Sequence, residues 1–233
     1  ITTEIKDSEL AGNNESITVA AKKLQEILRV LPENSKVSLD IQDSRLLVKV
    51  LKSKFTLQTL PPKDFPKLSE QLENSTNIEI GQKTLKKLLG SVHYAMAQQD
   101  IRYYLNGVLM VIDGNLIKLI ATDGHRLAYI SAKLDVEHPK REVILSRKTV
   151  NELFKLLNDS DEKIKLEIAE KQVKISFSDI TLFSKVIDGK FPDYDRVIPN
   201  YTNHLTLDRQ TILQALQRAA ILSNEKFRGV RFI

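Results

Sequence analysis

Two segments of the chain carry apolar residues at the spacing of an amphipathic helix, in which positions i, i+3, i+4 and i+7 share a face. They are 22–31 and 148–157, and the second repeats the first with Leu153 standing 126 residues after Ile27. Each is followed by two runs in which apolar and polar residues alternate, as they do in half-buried strands. These runs are 37–41 and 46–50, then 164–168 and 173–177. The pattern therefore predicts the same helix-and-hairpin unit twice.

A second repeated segment predicts a third copy. Residues 78–85 match 205–212, and each segment has the pattern of a short strand that runs into a helix. Phe65-Pro66 and Phe191-Pro192 repeat as well. Because strand-like sequence contains both residue 1 and residue 233, we expect an excerpt of a longer protein. The expected domains are the C-terminal part of a first domain over 1–76, a complete second domain over 77–198 and the N-terminal part of a third over 199–233.

Within the complete repeat, the predicted order is strand, helix, several hairpin strands, helix and further strands. Gly81 and Ser146 stand where helix caps are needed, and Asp-Gly pairs at 113–114 and 123–124 are typical of hairpin turns. The fold class is therefore α+β. We expect repeated domains, each with two helices packed on one face of an antiparallel sheet.

Composition narrows the class of protein. The chain has 233 residues, of which 42% are apolar and 28% are charged, as in an ordinary globular protein. The absence of cysteine excludes disulfides and thiolate metal sites and fits a reducing compartment, so we expect a cytoplasmic protein. No apolar run approaches the roughly 18 residues of a membrane span. The net charge of +5 is compatible with a polyanionic partner.

Basic residues recur on the predicted free face of every helix. Such a face can simply be solvated surface, but repetition at equivalent positions favours a continuous basic surface for the phosphate backbone, independent of base sequence. Aromatic side chains are nearly absent from these faces, which favours duplex DNA over single strands. The residues are Lys22, Lys23 and Arg29 in the first helix, Lys83, Lys86 and Lys87 in the second, Arg147, Lys148 and Lys155 in the third, and Arg209 and Arg218 in the fourth.

Residues that could carry catalysis are scarce. The four histidines are scattered without the spacing of metal ligands, and no glycine-rich loop opens a helix. Asp123 and His125 could form the acid–base pair of a small hydrolase, although Asp-Gly in a tight turn is the simpler interpretation. We therefore expect no catalytic residue, no cofactor and no bound metal.

The chain contains four longer motifs: Gln-Asp-Ile-Arg-Tyr-Tyr-Leu-Asn-Gly at 99–107, Ala-Thr-Asp-Gly-His-Arg-Leu-Ala at 121–128, Gly-Lys-Phe-Pro-Asp-Tyr at 189–194, and Ala-Ile-Leu-Ser-Asn-Glu-Lys-Phe-Arg-Gly-Val-Arg at 220–231. In this order they resemble the beta subunit of bacterial DNA polymerase III, the sliding clamp family, and the resemblance covers the whole chain. It implies a non-catalytic processivity factor: a head-to-tail dimer of three-domain subunits, closed around duplex DNA, that tethers the replicative polymerase.

The resemblance also implies three sets of site residues. The first set would contact DNA: Lys22, Lys23, Arg147 and Lys148 on the inner wall, with Gln99, Tyr103 and Tyr104 on a loop near the duplex. The second set would line a pocket for short linear peptides of the polymerase, the clamp loader and repair proteins: Leu105, Thr122, Gly124, His125, Arg126, Leu127, Pro192, Arg196 and Val197. The third set would form the dimer interface, with Phe55 and Leu57 on an edge strand meeting Ile221 and Leu222 of the neighbouring subunit.

Simpler interpretations remain open for several of these residues. The tyrosines can pack on the sheet, because amphipathic rings bury readily. Leu105, Leu127 and Val197 can be ordinary core residues. A peptide-binding adaptor that never encircles DNA is a further alternative. The family's far wall of the peptide pocket and much of its first and third domains have no counterpart in this sequence.

Overall fold

The computed structural model describes residues 2–3, 16–65, 72–223 and 229–232. The chain divides into two compact units, residues 1–191 and residues 192–233. Among the described residues, the larger unit contains two antiparallel sheets, one of four strands and one of seven. The domain boundaries at 76/77 and 198/199 stay predictions. Pro66 and residues 224–228 of the motif at 220–231 lie outside the described residues.

The four-stranded sheet matches the first predicted unit. Its strands follow the order β2-β5-β4-β3, and the alternation in β4 buries Leu46, Val48 and Val50 on one face. Leu24 and Ile27 of α1 pack against these residues, as the helical spacing predicts. The elements of this sheet and its helix are β2 (Thr18–Val19), α1 (Ala21–Arg29), β3 (Val37–Gln42), β4 (Arg45–Val50) and β5 (Ser53–Leu60), and β1 (Thr2–Thr3) precedes them as a strand of the other sheet.

The seven-stranded sheet contains the larger core. Two helices, α2 and α3, place apolar stripes on it, including Leu85 and Leu89 of α2 and Val150 and Leu153 of α3. The strand order is β6-β9-β10-β11-β8-β7, and β1 pairs with β11. The α+β class is therefore confirmed. The elements are β6 (Thr76–Gly81), α2 (Gln82–Val92), β7 (Gly107–Thr122), β8 (Leu127–Ser146), α3 (Arg147–Leu156), β9 (Lys163–Ile168), β10 (Gln172–Phe177) and β11 (Ile180–Ile187).

The smaller unit contains the helix α4 (Arg209–Ala220). Asp208 caps it by accepting a hydrogen bond from the backbone N–H of Thr211 at 2.8 Å. The strand predicted at the start of 205–212 does not form. In the second repeat the equivalent strand, β6, pairs with β9, and no described residue of the smaller unit supplies such a neighbour. No helix in the described ranges is long and apolar enough to cross a membrane.

The turn and cap predictions gave different outcomes. The Asp-Gly at 123–124 lies in the loop that joins β7 to β8, as predicted. The Asp-Gly at 113–114 lies inside β7, where the pairing register shifts beside Gly114, so the turn expected there was wrong. One common type of bulge places a glycine in the left-handed region, as some hairpin turns do, and Gly114 has φ +58°. Ser146 caps α3 through the N–H of Thr149 at 3.2 Å. Gly81 precedes α2 without any side-chain cap.

The start of β7 is sensitive to added volume. A methyl group at Gly107 would overlap the carbonyl oxygen of Leu145 and lie 3.1 Å from Cγ2 of Ile144. We expect Gly107→Ala to lower the free energy of unfolding by roughly 3 kcal/mol, because the overlapped atom is backbone and cannot move aside. Urea denaturation followed by circular dichroism measures this loss. Gly81→Ala is the matched control, since its nearest neighbouring atom would be 3.8 Å away. Equal midpoints for both variants would contradict the prediction.

Candidate functional site

The turn between β7 and β8 is held by its own side chains. Asp123 Oδ1 accepts hydrogen bonds from the backbone N–H groups of His125 at 2.9 Å and Arg126 at 3.0 Å. Thr122 Oγ1 accepts from the N–H of Gly124 at 3.1 Å and donates to the carbonyl of Arg126 at 2.7 Å. Gly124 has φ +89°, a conformation that favours glycine. The sequence 122–126 thus folds into a fixed turn that leaves residues 124–126 exposed.

The Arg126 side chain is held by contacts with Asp123 in the turn and with Tyr94 outside it. Its Nε donates to Asp123 Oδ2 at 3.1 Å, and its Nη2 donates to the carbonyl of Tyr94 at 2.8 Å. The guanidinium carbon also lies 5.4 Å from the centre of the Tyr94 ring, within range of a cation–π contact. The Arg126 side chain is therefore ordered although it is exposed.

Asp123 contacts His125 through the backbone of the histidine. Burial alone would raise the pKa of Asp123, but the backbone hydrogen bonds from His125 and Arg126, with the Arg126 guanidinium, lower it below its ordinary value. A carboxylate held in the charged form by these donors is a weak base. The arrangement favours the interpretation of Asp123 as a turn residue over the acid–base pair of a hydrolase.

The loop before β7 is fixed at its two ends. The N–H of Ala97 donates to the carbonyl of Leu105 at 3.0 Å, which closes the loop. Arg147, the first residue of α3, donates from its Nη1 to the carbonyls of Met96 at 3.2 Å and Ala97 at 3.4 Å. Arg147 was predicted to contact DNA. In the structure its side chain is half-buried and holds the loop through these two hydrogen bonds.

A pair of charged residues joins this loop to the turn. Arg102 donates to both carboxylate oxygens of Asp100, from Nε at 3.0 Å and from Nη2 at 2.8 Å. Nη2 also lies 3.4 Å from the carbonyl oxygen of Asp123. The motif at 99–107 contains Asp100 and Arg102, but sequence reasoning assigned neither residue a role. The Asp-x-Arg spacing indicates a local ion pair, whereas contact with the other loop depends on tertiary structure.

The structure brings part of the predicted peptide set together. Thr122, Gly124, His125, Arg126 and Leu127 lie on or beside one turn. Leu105 is fully buried on the loop before β7, which fits the simpler interpretation of a core residue. Pro192, Arg196 and Val197 belong to the smaller unit, where all three are exposed and Arg196 Nε pairs with Asp193 at 2.8 Å.

The predicted DNA set is partly exposed. Lys22 and Lys23 on α1 and Lys148 on α3 are exposed, as is Gln99, which has φ +55°. The Tyr103 and Tyr104 rings meet edge to face with centres 5.8 Å apart. Tyr103 is 56% exposed, and both tyrosines pack beside Gly189, so packing and exposure coexist in them. The two interpretations of these tyrosines therefore remain compatible with the structure.

Several lysines on the basic helix faces have acidic neighbours. Lys86 lies 3.3 Å from Asp159, and Lys23 lies 3.6 Å from Glu26. Lys22, Lys83, Lys87 and Lys148 form no ion pair within the described part of the chain. The positive charge on the first two helices is therefore reduced but not removed.

The predicted interface residues lie in different settings. Phe55 and Leu57 are half-buried on β5 and pack against the core of the four-stranded sheet. Along β5, residues 53–58 pair with β4 on one side, while on the other side the described residues show pairing only of Thr59 and Leu60 with β2. In the smaller unit, Ile221 and Leu222 follow α4 and are 78% and 95% exposed.

Cavities and metal ligands add no further candidate to this region. Three surface depressions of about 510, 490 and 260 Å³ lie beside Phe65, along α1 and near His138, and none is lined by the predicted peptide set. Among the described residues, no three histidine or carboxylate side chains lie close enough together to hold a metal ion.

Two family models match the chain. The N-terminal domain of the DNA polymerase III beta subunit matches residues 1–69, and the central domain of the same subunit matches residues 79–193. The beta sliding clamp of Pseudomonas aeruginosa is 43% identical over 219 residues, which are 92% of this chain and 59% of that protein. The beta sliding clamp of Escherichia coli K12 is 41% identical over 215 residues, 92% of this chain and 58% of that protein. The chain thus spans somewhat over half the length of these relatives.

Solved structures agree with these matches. The DNA polymerase III subunit beta from P. aeruginosa superposes with a TM-score of 0.88 at 40% identity, over 94% of this chain and 60% of that one. The sliding clamp from Bacillus subtilis superposes with a TM-score of 0.82 at 31% identity, over 90% and 55% of the two chains. A P. aeruginosa sliding clamp bound to griselimycin is similar as well, with a TM-score of 0.87 at 40% identity over 94% and 60%.

The Asp100–Arg102 pair predicts a specific pH response. Hydrogen bonds from the side chain and backbone of Arg102 lower the pKa of Asp100 to about 2, from an ordinary value of 3.8. Because the folded pKa is depressed, the charged carboxylate stabilises the fold above the ordinary value, and this contribution is lost as the pH falls towards 2. NMR titration of the Asp100 carboxyl carbon measures the midpoint. We expect Arg102→Gln to raise this midpoint towards 3.8, and an unchanged midpoint would contradict the assignment.

Proposed function

The chain belongs to the family of bacterial DNA polymerase III beta subunits, the DNA sliding clamps, and we propose that the full-length protein encircles duplex DNA and tethers the replicative polymerase to it. One observation carries the proposal: two successive domain models of this family coincide with the two sheets of the larger unit. The internal repeat supports it independently, because domains of one kind joined head to tail suit a closed ring. The proposal includes no catalytic step and no cofactor.

Contact with DNA is proposed to be electrostatic and independent of sequence. Lys22, Lys23 and Lys148 are exposed on helices, where long basic side chains can reach phosphates. Gln99, Tyr103 and Tyr104 lie on the loop before β7 and would contact the same duplex. Arg147 would contribute mainly by supporting that loop, because its guanidinium donates to backbone carbonyls. Closure of the ring, rather than affinity, would hold the protein on DNA.

Dimerisation is proposed to follow a strand pairing that already occurs within the chain. β11 accepts β1 through the pairs Thr2–Thr181 and Thr3–Ile180. Thr181 stands 126 residues after Phe55 in the repeat, and the corresponding edge of β5 has no strand partner at residues 53–58 among the described residues. We propose that β5 accepts a strand of a second subunit in the same way. Phe55 and Leu57 would then contact Ile221 and Leu222 of the partner subunit.

Peptide capture is proposed for the turn at residues 122–127. The ordered Arg126 side chain and the half-buried Leu127 combine a polar donor with an apolar surface, which suits a short linear peptide. Leu105 would belong to the same site. The peptides would come from the polymerase, the clamp loader and repair proteins. We also propose that the full-length protein binds griselimycin, as the sliding clamp of P. aeruginosa does in its solved complex.

The ring model predicts that retention on DNA depends on topology. Full-length protein loaded on nicked circular DNA should remain bound at about 200 mM salt and dissociate when the circle is linearised. A protein held by roughly six to ten phosphate contacts alone would instead lose about 10³- to 10⁵-fold in affinity between 50 and 200 mM salt. Gel filtration of the DNA-bound fraction measures retention. Equal retention on both DNA forms would overturn the ring model and favour the peptide-binding adaptor.

The peptide site predicts a loss of griselimycin affinity when its rim is truncated. We expect Arg126→Ala combined with Leu127→Ala to raise the Kd at least about tenfold, because both a fixed donor and an apolar contact are removed. Isothermal titration calorimetry measures the Kd, and thermal unfolding checks that the domain remains folded. Lys133→Ala combined with Val136→Ala is the matched control, a basic and an exposed apolar residue on the same strand. An unchanged Kd in the first variant would refute the pocket assignment.

A further inference from the structure

We propose that Asp100 is a positioning residue for the peptide site: it orients Arg102 so that the Arg102 guanidinium fixes the backbone of the turn at Asp123 and Gly124. The inference rests on the proposed role of residues 122–127 in peptide capture. Among the hydrogen bonds of the described residues, Asp100 makes none to that turn and reaches it through Arg102, beside a weaker direct electrostatic interaction with His125.

The first step is the orientation of Arg102 by Asp100. The Asp100 carboxylate accepts three hydrogen bonds from this one residue: Oδ1 accepts from the backbone N–H at 2.8 Å and from Nε at 3.0 Å, and Oδ2 accepts from Nη2 at 2.8 Å. Two parallel bonds from a guanidinium to a carboxylate restrict rotation as well as distance. The bond from the backbone N–H of Arg102 to Asp100 Oδ1 also fixes the backbone from which the arginine side chain extends. The guanidinium therefore has a defined plane.

The second step is the anchoring of Asp100. The side chain of Asn106 accepts from the N–H of Asp100 at 3.0 Å and donates to the carbonyl of Asp100 at 2.9 Å. The carbonyl of Asn106 in turn accepts from the backbone N–H of Arg147, at the start of α3, at 2.9 Å. A helix packed on the sheet core thus holds Asn106, which holds Asp100. An ordinary exposed ion pair lacks such an anchor and contributes little.

The third step is the contact between Arg102 and the turn. Nη2 lies 3.4 Å from the carbonyl oxygen of Asp123, and both Nη1 and Nη2 lie 3.1 Å from the place that a Cβ of Gly124 would occupy. The guanidinium therefore packs directly against the glycine backbone. Arg126 fixes the same turn through the Asp123 carboxylate and the carbonyl of Tyr94. Arg102 therefore holds the turn through the carbonyl of Asp123, and Arg126 holds it through the side chain of Asp123.

The experiment measures griselimycin binding by full-length protein carrying Asp100→Asn. The amide keeps the shape of the side chain but loses the charge and one acceptor oxygen, so Arg102 loses its defined plane. We expect the Kd to rise roughly three- to tenfold. Because the carboxylate also stabilises the fold, the thermal unfolding midpoint should fall slightly, while the protein remains folded at the temperature of the binding assay. Asp43→Asn is the matched control: Asp43 is an exposed turn aspartate between β3 and β4, and its φ of +51° is one that asparagine tolerates. Its Kd should equal that of the wild type.

A double-mutant cycle separates positioning from general weakening of the domain. If Asp100 acts through Arg102, adding Asp100→Asn to Arg102→Gln causes no further rise in the Kd, whereas independent effects would multiply. The backbone amide NMR signal of Gly124 should shift in Asp100→Asn and remain in place in Asp43→Asn. This readout holds even if the variant is somewhat less stable.

The outcomes distinguish the inference from the proposed function. If the wild type fails to bind griselimycin, the proposed peptide site is wrong and the inference falls with it. Binding by the wild type with an unchanged Kd in Asp100→Asn would overturn the inference alone, as would multiplicative effects in the double variant. A raised Kd with a cycle that is not additive supports both.

Discussion

Pairing of strand edges is the constraint on which the rest of this structure depends. A backbone N–H or carbonyl at an open sheet edge needs a partner, and the chain meets this need in a repeated manner. β11 has β1 beside it, whereas the equivalent residues of β5 have an open edge among the described residues. The same constraint explains why the segment at 205 forms no strand without a neighbour. Local structure, and the dimerisation proposed for β5, therefore depend on one kind of hydrogen bond.

The candidate peptide site depends on short-range side-chain contacts at the end of two long strands, and not on the pairing of strand edges. Thr122 and Asp123 satisfy the amides of the turn, and the long strands β7 and β8 hold its two ends. Two arginines then fix the turn from its neighbours, Arg126 through Tyr94 and Arg102 through Asp100. A peptide meeting this surface would find its donors already ordered, which reduces the entropy lost on binding.

The sequence predictions succeeded where the physical cause is local or periodic. Helical spacing gave α1 and α3 within one or two residues of their bounds, and alternation gave both hairpins that follow them. A prediction failed where the same pair of residues is compatible with two backbone structures. Asp113-Gly114 has the composition of a turn but forms a bulge, because β7 continues on both sides of it. The contact of Arg147 with DNA stays a prediction, and the structure adds a role that the sequence did not indicate, since its side chain donates to two carbonyls of the loop before β7.

The sequence by itself determined the repeat, the α+β class, the helix faces and the membership of a family, because each is written in the order of residue types along the chain. Only the tertiary structure decided which residues meet: that Asp123 serves its own turn, that Arg102 reaches that turn from another loop, and that β5 has an open edge among the described residues. These contacts join residues that are distant in sequence or depend on backbone angles. A periodic sequence pattern does not indicate these contacts, because the two residues of each contact come close together only when the sheet has folded.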